Sequence, residues 1–402
     1  MSKPLDGVRV LAAEQMQALP YATQLLARLG ADVVKVEPLA GESGRGSQPA
    51  MLDPSGRAVG ATFLRNNLGK RSVTINLKSD TGRDLFLRLA PRFDVVAENF
   101  KAGAMDRLGL GYEHVKAVHP SVVYVSVSGF GNTGDSPYAD WPAYSSIVEG
   151  MSGIYEYTRR PDEAPRANPV GALGDISSAL YAVIGVLAAL RHRDRTGEGQ
   201  HVDVAMLDAT VAMTDIVTNF ASMGMPRVPY PAPYILDTFR AADGWFVIQL
   251  VREHQFERLA EVVGRPEWKD DPRLTERAGW GAHLEDVVRP GVEAWAATRT
   301  KAEAAEELTA AGVAAGPCFD AAEVIADPHL AKRRMLVELA RTDGVDDPVL
   351  VPGNPVKLSA VEETPEDRVP WVGEHTRRVL HDELGLTDAE LDALRDEGVL
   401  GT

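Results

Sequence analysis

Asp175 is the residue best placed to do chemistry. It lies in the small, apolar run Gly171-Ala172-Leu173-Gly174-Asp175-Ile176-Ser177-Ser178. The residues that follow, Ala179 to Leu190, are nearly all apolar and predict a buried helix. A carboxylate at the mouth of such a helix has two readings. In the first it is an N-cap, accepting backbone N–H bonds of the opening turn. In the second it is a nucleophile, kept ionised by free N–H groups and the helix dipole. The local pattern favours the cap, and the rest of the chain reverses that preference.

Two polar clusters suit an anionic ligand. Arg65-Asn66-Asn67-Leu68-Gly69-Lys70-Arg71-Ser72 puts three cations in what reads as a loop before a strand. Glu98-Asn99-Phe100-Lys101-Ala102-Gly103 follows a strand, and Arg107 sits one turn into the next helix. Carboxyl ends of strands in open α/β sheets bind ligands. Each segment alone reads as a solvated loop. Together they suit a phosphate-bearing, adenine-containing molecule, with cations for phosphate and an apolar face for the ring.

Other chemistries fail on spacing. Gly129-Phe130-Gly131-Asn132-Thr133-Gly134 is a literal G-x-G-x-x-G after a strand, but Pro137 and Pro142 delay any helix. No acid closes a following strand, as a dinucleotide site requires. The N-terminal strand–helix–strand unit does end in an acid, Glu37, yet its first loop, Glu14 to Pro20, has no glycine. The nine histidines show no i, i+4 ligand pair, so no metal site is expected. There is no G-x-S-x-G elbow and no Gly-Lys-Ser/Thr phosphate loop. Cys318, the one cysteine, reads as a small hydrophobe and excludes an internal disulfide. Net charge of −16 argues against nucleic-acid binding. No apolar leader is visible at the N-terminus, and the stretch after Asp175 runs into Arg191, Arg193 and Arg195. The expectation is a cytoplasmic protein with no membrane span.

The elements that must hold these residues alternate. Strands are predicted at 8–13, 31–37, 72–77, 94–97, 121–128 and 200–205, with helices at 21–29, 80–89, 104–118 and 207–223. That alternation implies a parallel sheet covered on both faces. Pro226, Pro229, Pro231 and Pro233 then read as a linker. A hairpin turning at Asp243-Gly244 and helices from Glu253 to about Ala311 form a smaller unit. Strand signals return near 335–340 and 349–351, and a capped helix, Thr387 to Glu397, closes the chain. Length alone favours two domains. The expected division is 1–224 for the N-terminal part of a large α/β domain, 225–330 for the linker and a small α+β domain, and 331–402 for a segment returning to the large domain.

The chain resembles the family III CoA-transferases of the CaiB/BaiF type. The resemblance is carried by Leu26 to Glu37, Asn67 to Lys78, Glu98-Asn99-Phe100 with Gly103 and Arg107-Leu108-Gly109, Ser126 to Gly134 with Pro142-Ala143-Tyr144, and Gly174-Asp175. It extends through Gly312 to Pro317 and Gly373 to Thr376. It implies a Rossmann-like parallel sheet in a large domain built from both chain ends, a smaller α+β domain and an interlocked homodimer. It implies that Asp175 attacks the thioester of an acyl-CoA, giving an anhydride and then an aspartyl-CoA thioester that a carboxylic acid resolves. Gln17 and Tyr144 align with active-site positions. Ile75, Asn99 and Phe100 are implied to border the adenine end of CoA, Met16 is a further implied contact, and Lys78 and Arg107 are implied at its phosphates. Acyl-CoA and a free acid are then substrates, and no tightly bound cofactor is expected. The related acyl-CoA racemases abstract an α-proton with the same Asp and a histidine. The stretch Trp141 to Ile147 has no histidine, although Glu253-His254-Gln255-Phe256 resembles a racemase segment holding a catalytic glutamate. Racemase and non-catalytic CoA binder therefore stay as alternatives.

Overall fold

The structure is a computed structural model that describes residues 3–157, 159, 163–168, 171–224, 232–364, 366 and 368–401. Pro226, Pro229 and Pro231 of the expected linker lie outside them. The chain divides into two compact units, one made of Met1–Ile216 and Lys332–Thr402, the other of Val217–Ala331.

The first unit is built on a sheet of six parallel strands. In chain order its elements are β1 (Arg9–Ala13), α1 (Ala18–Arg28), β2 (Asp32–Glu37), α2 (Ala61–Asn66), β3 (Lys70–Thr74), α3 (Asp80–Leu89), β4 (Val95–Glu98), α4 (Tyr112–Val118), β5 (Val123–Ser128), α5 (Ser145–Met151), α6 (Leu173–Thr196), β6 (Gln200–Ala205) and α7 (Met206–Ala212). The strand order is β3-β2-β1-β4-β5-β6. Leu11 of β1 pairs with Val34 of β2 on one side and Val96 of β4 on the other. Strands buried on both faces need unbroken apolar runs, and Val10, Leu11, Val33, Val34, Val95 and Val96 have no exposed surface.

Alternate strand residues serve opposite faces. Val10, Val33, Val95 and Val125 face a core with Leu19 and Leu26 of α1 and Ala179, Ala182 and Val186 of α6. Leu11, Val34, Val96 and Tyr124 face Phe86 and Leu89 of α3, together with Val379 and Leu380 from the far end of the chain. By length and composition α6 is apolar enough to cross a membrane. Ala179, Ala182 and Ala189 are buried, yet Leu180, Tyr181, Ile184 and Leu187 are exposed.

In the second unit, β7 (Ile235–Arg240) and β8 (Trp245–Leu250) form the expected hairpin. Helices α8 (Glu253–Val262), α9 (Arg289–Ala296) and α10 (Lys301–Ala310) follow. Strand β9 (Ala314–Pro317) then pairs antiparallel with β8. Phe256 stacks on Trp280 at 4.7 Å within that unit's core. The chain re-enters the first unit through β10 (Leu336–Leu339) and β11 (Val349–Pro352), then α11 (Thr376–Leu384) and α12 (Asp388–Asp396). Thr387 and Glu390 make the predicted capping box on α12.

Two predicted helices are shorter than expected. The 104–118 stretch breaks into Ala104–Arg107 and α4, because Gly109 adopts φ +72°, which ends a helix. The 207–223 helix stops at Ala212. There the Thr214 hydroxyl bonds the Val211 carbonyl, competing with the ladder.

Candidate active site

In the sheet order β3-β2-β1-β4-β5-β6, connections reverse direction between β1 and β4. Loops leaving those two strands part there and open a crevice at the carboxyl ends. A cleft of about 320 Å³ occupies this place. Asp175, Gln17, Tyr144, Met16, Asn99 and Phe100 all line it, from four separate stretches of sequence.

The β1 loop is gripped from two sides. The Asn99 amide accepts from the Gln15 N–H at 2.9 Å and donates to the Gln15 carbonyl at 2.9 Å. The next residue, Met16, has φ +61°, a left-handed conformation that is strained for a side-chain-bearing residue. The buried Glu42 carboxylate holds it there by accepting the Met16 N–H at 3.0 Å. Gln17 follows as the N-cap residue of α1.

Under this loop lies a buried ionic cluster. Lys70 donates to Glu14 at 2.7 Å, Thr23 donates to Glu14 at 2.7 Å, and Lys35 lies 3.5 Å from the same carboxylate. Burial pushes the Glu14 carboxyl up, but Lys70 and Lys35 outweigh it and hold the group below its ordinary range. Burial lowers Lys70 to about 8, so it stays protonated at neutral pH.

The Gly129–Gly134 segment is a turn shaped by Asp203 of β6. That carboxylate accepts the N–H groups of Asn132 and Thr133 at 2.9 and 2.7 Å. The Asn132 amide then accepts the Gly103 N–H at 3.2 Å, tying this turn to the loop after β4. A side chain at Gly129 would collide with Ala143, so the glycine lets the 141–144 rim lie close.

Asp175 is not an N-cap. Helix α6 begins at Leu173, and Asp175 is its third residue. The N–H groups of its first turn go elsewhere. Glu149 accepts the Leu173 N–H at 3.0 Å, and the Ser145 hydroxyl accepts the Gly174 N–H at 2.7 Å. The Asp175 carboxyl is left in the cleft, partly buried. Burial first, and then the charge of Glu149, raise it to about 6. The expectation that free N–H groups depress its proton affinity is therefore corrected.

Three implied CoA contacts fall outside the cleft. Ile75 is 1% exposed and packs in the core beside Leu400, and its backbone N–H is bonded to the Glu37 carbonyl at 3.0 Å, so it presents no surface to a ligand. Lys78 is exposed beyond the end of β3. Arg107 is exposed too, with Nη1 3.2 Å from where a Gly103 side chain would start. The predicted basic loop also dissolves. Arg65 ends α2, while Lys70 and Arg71 belong to β3 and are engaged by Glu14 and Asp32. Local charge density cannot distinguish a cation held for a ligand from one neutralised by a partner distant in sequence.

Sequence reading missed Trp141 on the cleft wall, and Ser145 and Glu149 behind Asp175, while Lys101 of the Glu98–Gly103 cluster does reach the wall. A signal existed for the last two, since Ser145 and Glu149 are four apart and share a helix face. In the second unit, Glu253 accepts from Arg277 at 2.6 and 2.9 Å. That bonding lowers it to about 2, unsuitable for abstracting a proton. Among the described residues no His/Cys/Asp/Glu group could hold a metal.

The site is thus a carboxylate in the crevice at the switch point of a Rossmann-order parallel sheet, the place where open α/β enzymes bind their ligands. Residues 5–376 match CoA-transferase family III, and the chain belongs to that family. It is a CoA-transferase. It is 36% identical to the succinyl-CoA:mesaconate CoA-transferase of Haloarcula marismortui, over 95% of this chain and 96% of the relative. It is 36% identical to the acetyl-CoA:oxalate CoA-transferase of Acetobacter aceti, over 90% and 91%. A crystal structure of a CaiB/BaiF family protein from Brucella suis superposes with TM-score 0.83 and 34% identity, covering 95% of this chain and 100% of that one.

Proposed function

We propose that this enzyme moves CoA from a short acyl-CoA to a small dicarboxylic acid by covalent catalysis on Asp175. The observation that carries this reading is the bare Asp175 carboxylate in the switch-point cleft, with the N–H groups of its own helix taken by Ser145 and Glu149. An aspartate raised to about 6 is still mostly ionised at neutral pH and more basic than a solvated one.

The Asp175 oxygen attacks the thioester carbonyl, the C–S bond breaks, and an acyl–aspartyl anhydride and CoA thiolate form. The thiolate attacks the aspartyl carbonyl and frees the donor acid, leaving aspartyl-CoA thioester. The acceptor carboxylate attacks that thioester, and the two steps run in reverse to regenerate Asp175. Each tetrahedral centre needs donors already in place. The Gln17 amide and the Tyr144 hydroxyl serve as those donors. Because Met16, Asn99 and Phe100 share the cleft with Asp175, they border the pantetheine arm instead of the adenine end expected for Asn99 and Phe100, and Arg107 meets phosphate beyond the loop that ends at Gly103. The two relatives named above act on mesaconate and oxalate, both dicarboxylates, which supports that acceptor class. Lys101 on the cleft wall donates to the Asp140 carbonyl at 2.8 Å and lies 3.4 Å from its carboxylate, so a second substrate carboxylate would compete with Asp140 for it.

We also propose that the unit containing both chain ends is the CoA-binding domain of an interlocked homodimer. The exposed Leu180, Tyr181, Ile184 and Leu187 of α6 support such a covering.

The test is trapping. Incubation with succinyl-CoA and then hydroxylamine should leave a hydroxamate at Asp175, located by peptide mass spectrometry, and Asp175→Asn should abolish both adduct and turnover. An unmodified Asp175 with turnover intact removes the proposal. Deuterium wash-in at the α-carbon without an acceptor acid would support a racemase instead.

A further inference from the structure

We infer that Glu149 is a positioning residue for the reaction, which together with Ser145 caps α6 in place of Asp175 and so keeps the nucleophile unbonded. This rests on the reading that Asp175 is the nucleophile. Glu149 is 1% exposed, on a helix that starts directly after Tyr144. Its Oε1 accepts the Ser145 hydroxyl at 2.6 Å, the Leu173 N–H at 3.0 Å and the Gly174 N–H at 3.4 Å. Its Oε2 accepts the Tyr155 hydroxyl at 2.8 Å. Four donors converge on one buried carboxylate.

The Ser145 hydroxyl completes the arrangement. While donating to Glu149 it accepts from the Gly174 N–H at 2.7 Å and the Asp175 N–H at 3.4 Å. The opening N–H groups of α6 are therefore occupied. An acid in the first turn would ordinarily take them for itself, losing basicity and freedom to attack. Close packing enforces the geometry, because a side chain at Gly174 would start 2.6 Å from Val148 Cγ2 and 3.1 Å from Ser145 Oγ.

Glu149 also places a like charge near Asp175. The elements packed against α6 carry Tyr21 on α1, Tyr124 on β5, His201 and Asp203 on β6 and Asp208 on α7. Lys101 lines the same cleft. Among the described residues, Glu149 is the charged group that raises the Asp175 carboxyl, second to burial. Both effects of Glu149 keep the Asp175 proton affinity high.

The test compares wild type with Glu149→Gln, which keeps the shape and the acceptor for Leu173, and with Ser145→Ala, which deletes one hydroxyl. The Asp175 carboxyl is titrated directly by 13C NMR with labelled aspartate, assigned through Asp175→Asn. The acid limb of kcat/KM is measured alongside. In both variants the midpoint should fall by about half a unit or more, with kcat at pH 8 reduced while KM for the acyl-CoA changes less than twofold. Unfolding curves confirm folding, and if Glu149→Gln does not fold, Ser145→Ala decides. A titration that stays at the wild-type midpoint in the folded variants overturns the inference. Hydroxylamine trapping on wild type is run in parallel. Trapping with an unmoved midpoint sinks the role of Glu149 alone, whereas failure to trap sinks the nucleophile reading.

Discussion

At the scale of the residue, the proton affinity of Asp175 is the quantity with most consequences. Burial, then Glu149, raise it from 3.8 to about 6. Only the carboxylate attacks a thioester, so kcat/KM should climb as pH rises through about 6 and level off above it. A profile flat from pH 5 to 8 would contradict this. The same shift has a stability sign. The folded state holds this proton more tightly than the unfolded chain, so the contribution is favourable at low pH and disappears as pH rises between 3.8 and about 6. Above that window the ionised, partly buried group costs about 1–3 kcal/mol. Asp175→Asn should therefore unfold at higher urea than wild type at pH 8, while the two converge below pH 4.

At the scale of the element, the site depends on what lies beneath the β1 loop. Glu14, Lys35 and Lys70 are buried together, and Lys70 makes the 2.7 Å bond to Glu14. Lys70→Met keeps the apolar stem and leaves a buried carboxylate short of its partner, which should cost about 3–5 kcal/mol. Urea titration at pH 7 measures it, and a loss under 1 kcal/mol would mean Lys35 alone suffices. The α5–α6 contact is equally tight. Gly174→Ala must displace the fully buried Val148, an overpacking worth about 1–3 kcal/mol. Because it also pushes on Ser145, trapping at Asp175 should fall further than stability does.

At the scale of the whole molecule, α6 has two apolar sides. One packs on the sheet, and the other leaves Ile184 61% exposed in a row with Leu180 and Leu187. Such a face is what a second copy would cover. Light scattering should show a dimer in wild type and dissociation or aggregation in Ile184→Glu, and a monomeric wild type would refute the covering. Helix α11 is part of the first unit's core through Val379 and Leu380. Removing residues after Pro370 strips that face and should abolish soluble expression.

Much of this was legible in the chain before any coordinates. The strands of the parallel sheet, one of them displaced from the predicted 72–77 to Lys70–Thr74, the hairpin at Asp243-Gly244 and the Thr387 cap follow from periodicity and turn chemistry, which depend on neighbours within a few residues, whereas the short pair Ala50–Leu52 and Ala58–Gly60 carries no such signal. The resemblance carried Asp175, Gln17, Tyr144, Met16, Asn99 and Phe100, which share one cleft. Ile75, Lys78 and Arg107 lie outside it, and Lys70 and Arg71 went to Glu14 and Asp32. Whether a charge is free or paired is decided by partners far along the chain, 56 residues away for Lys70 and Glu14 and 338 for Arg28 and Glu366. The order of the strands, the unbonded state of Asp175 and the capping by Glu149 are settled only when the sheet closes and α5 meets α6. Local sequence specifies which segments bury an apolar face, and three-dimensional packing selects which polar groups those segments bring within hydrogen-bond reach.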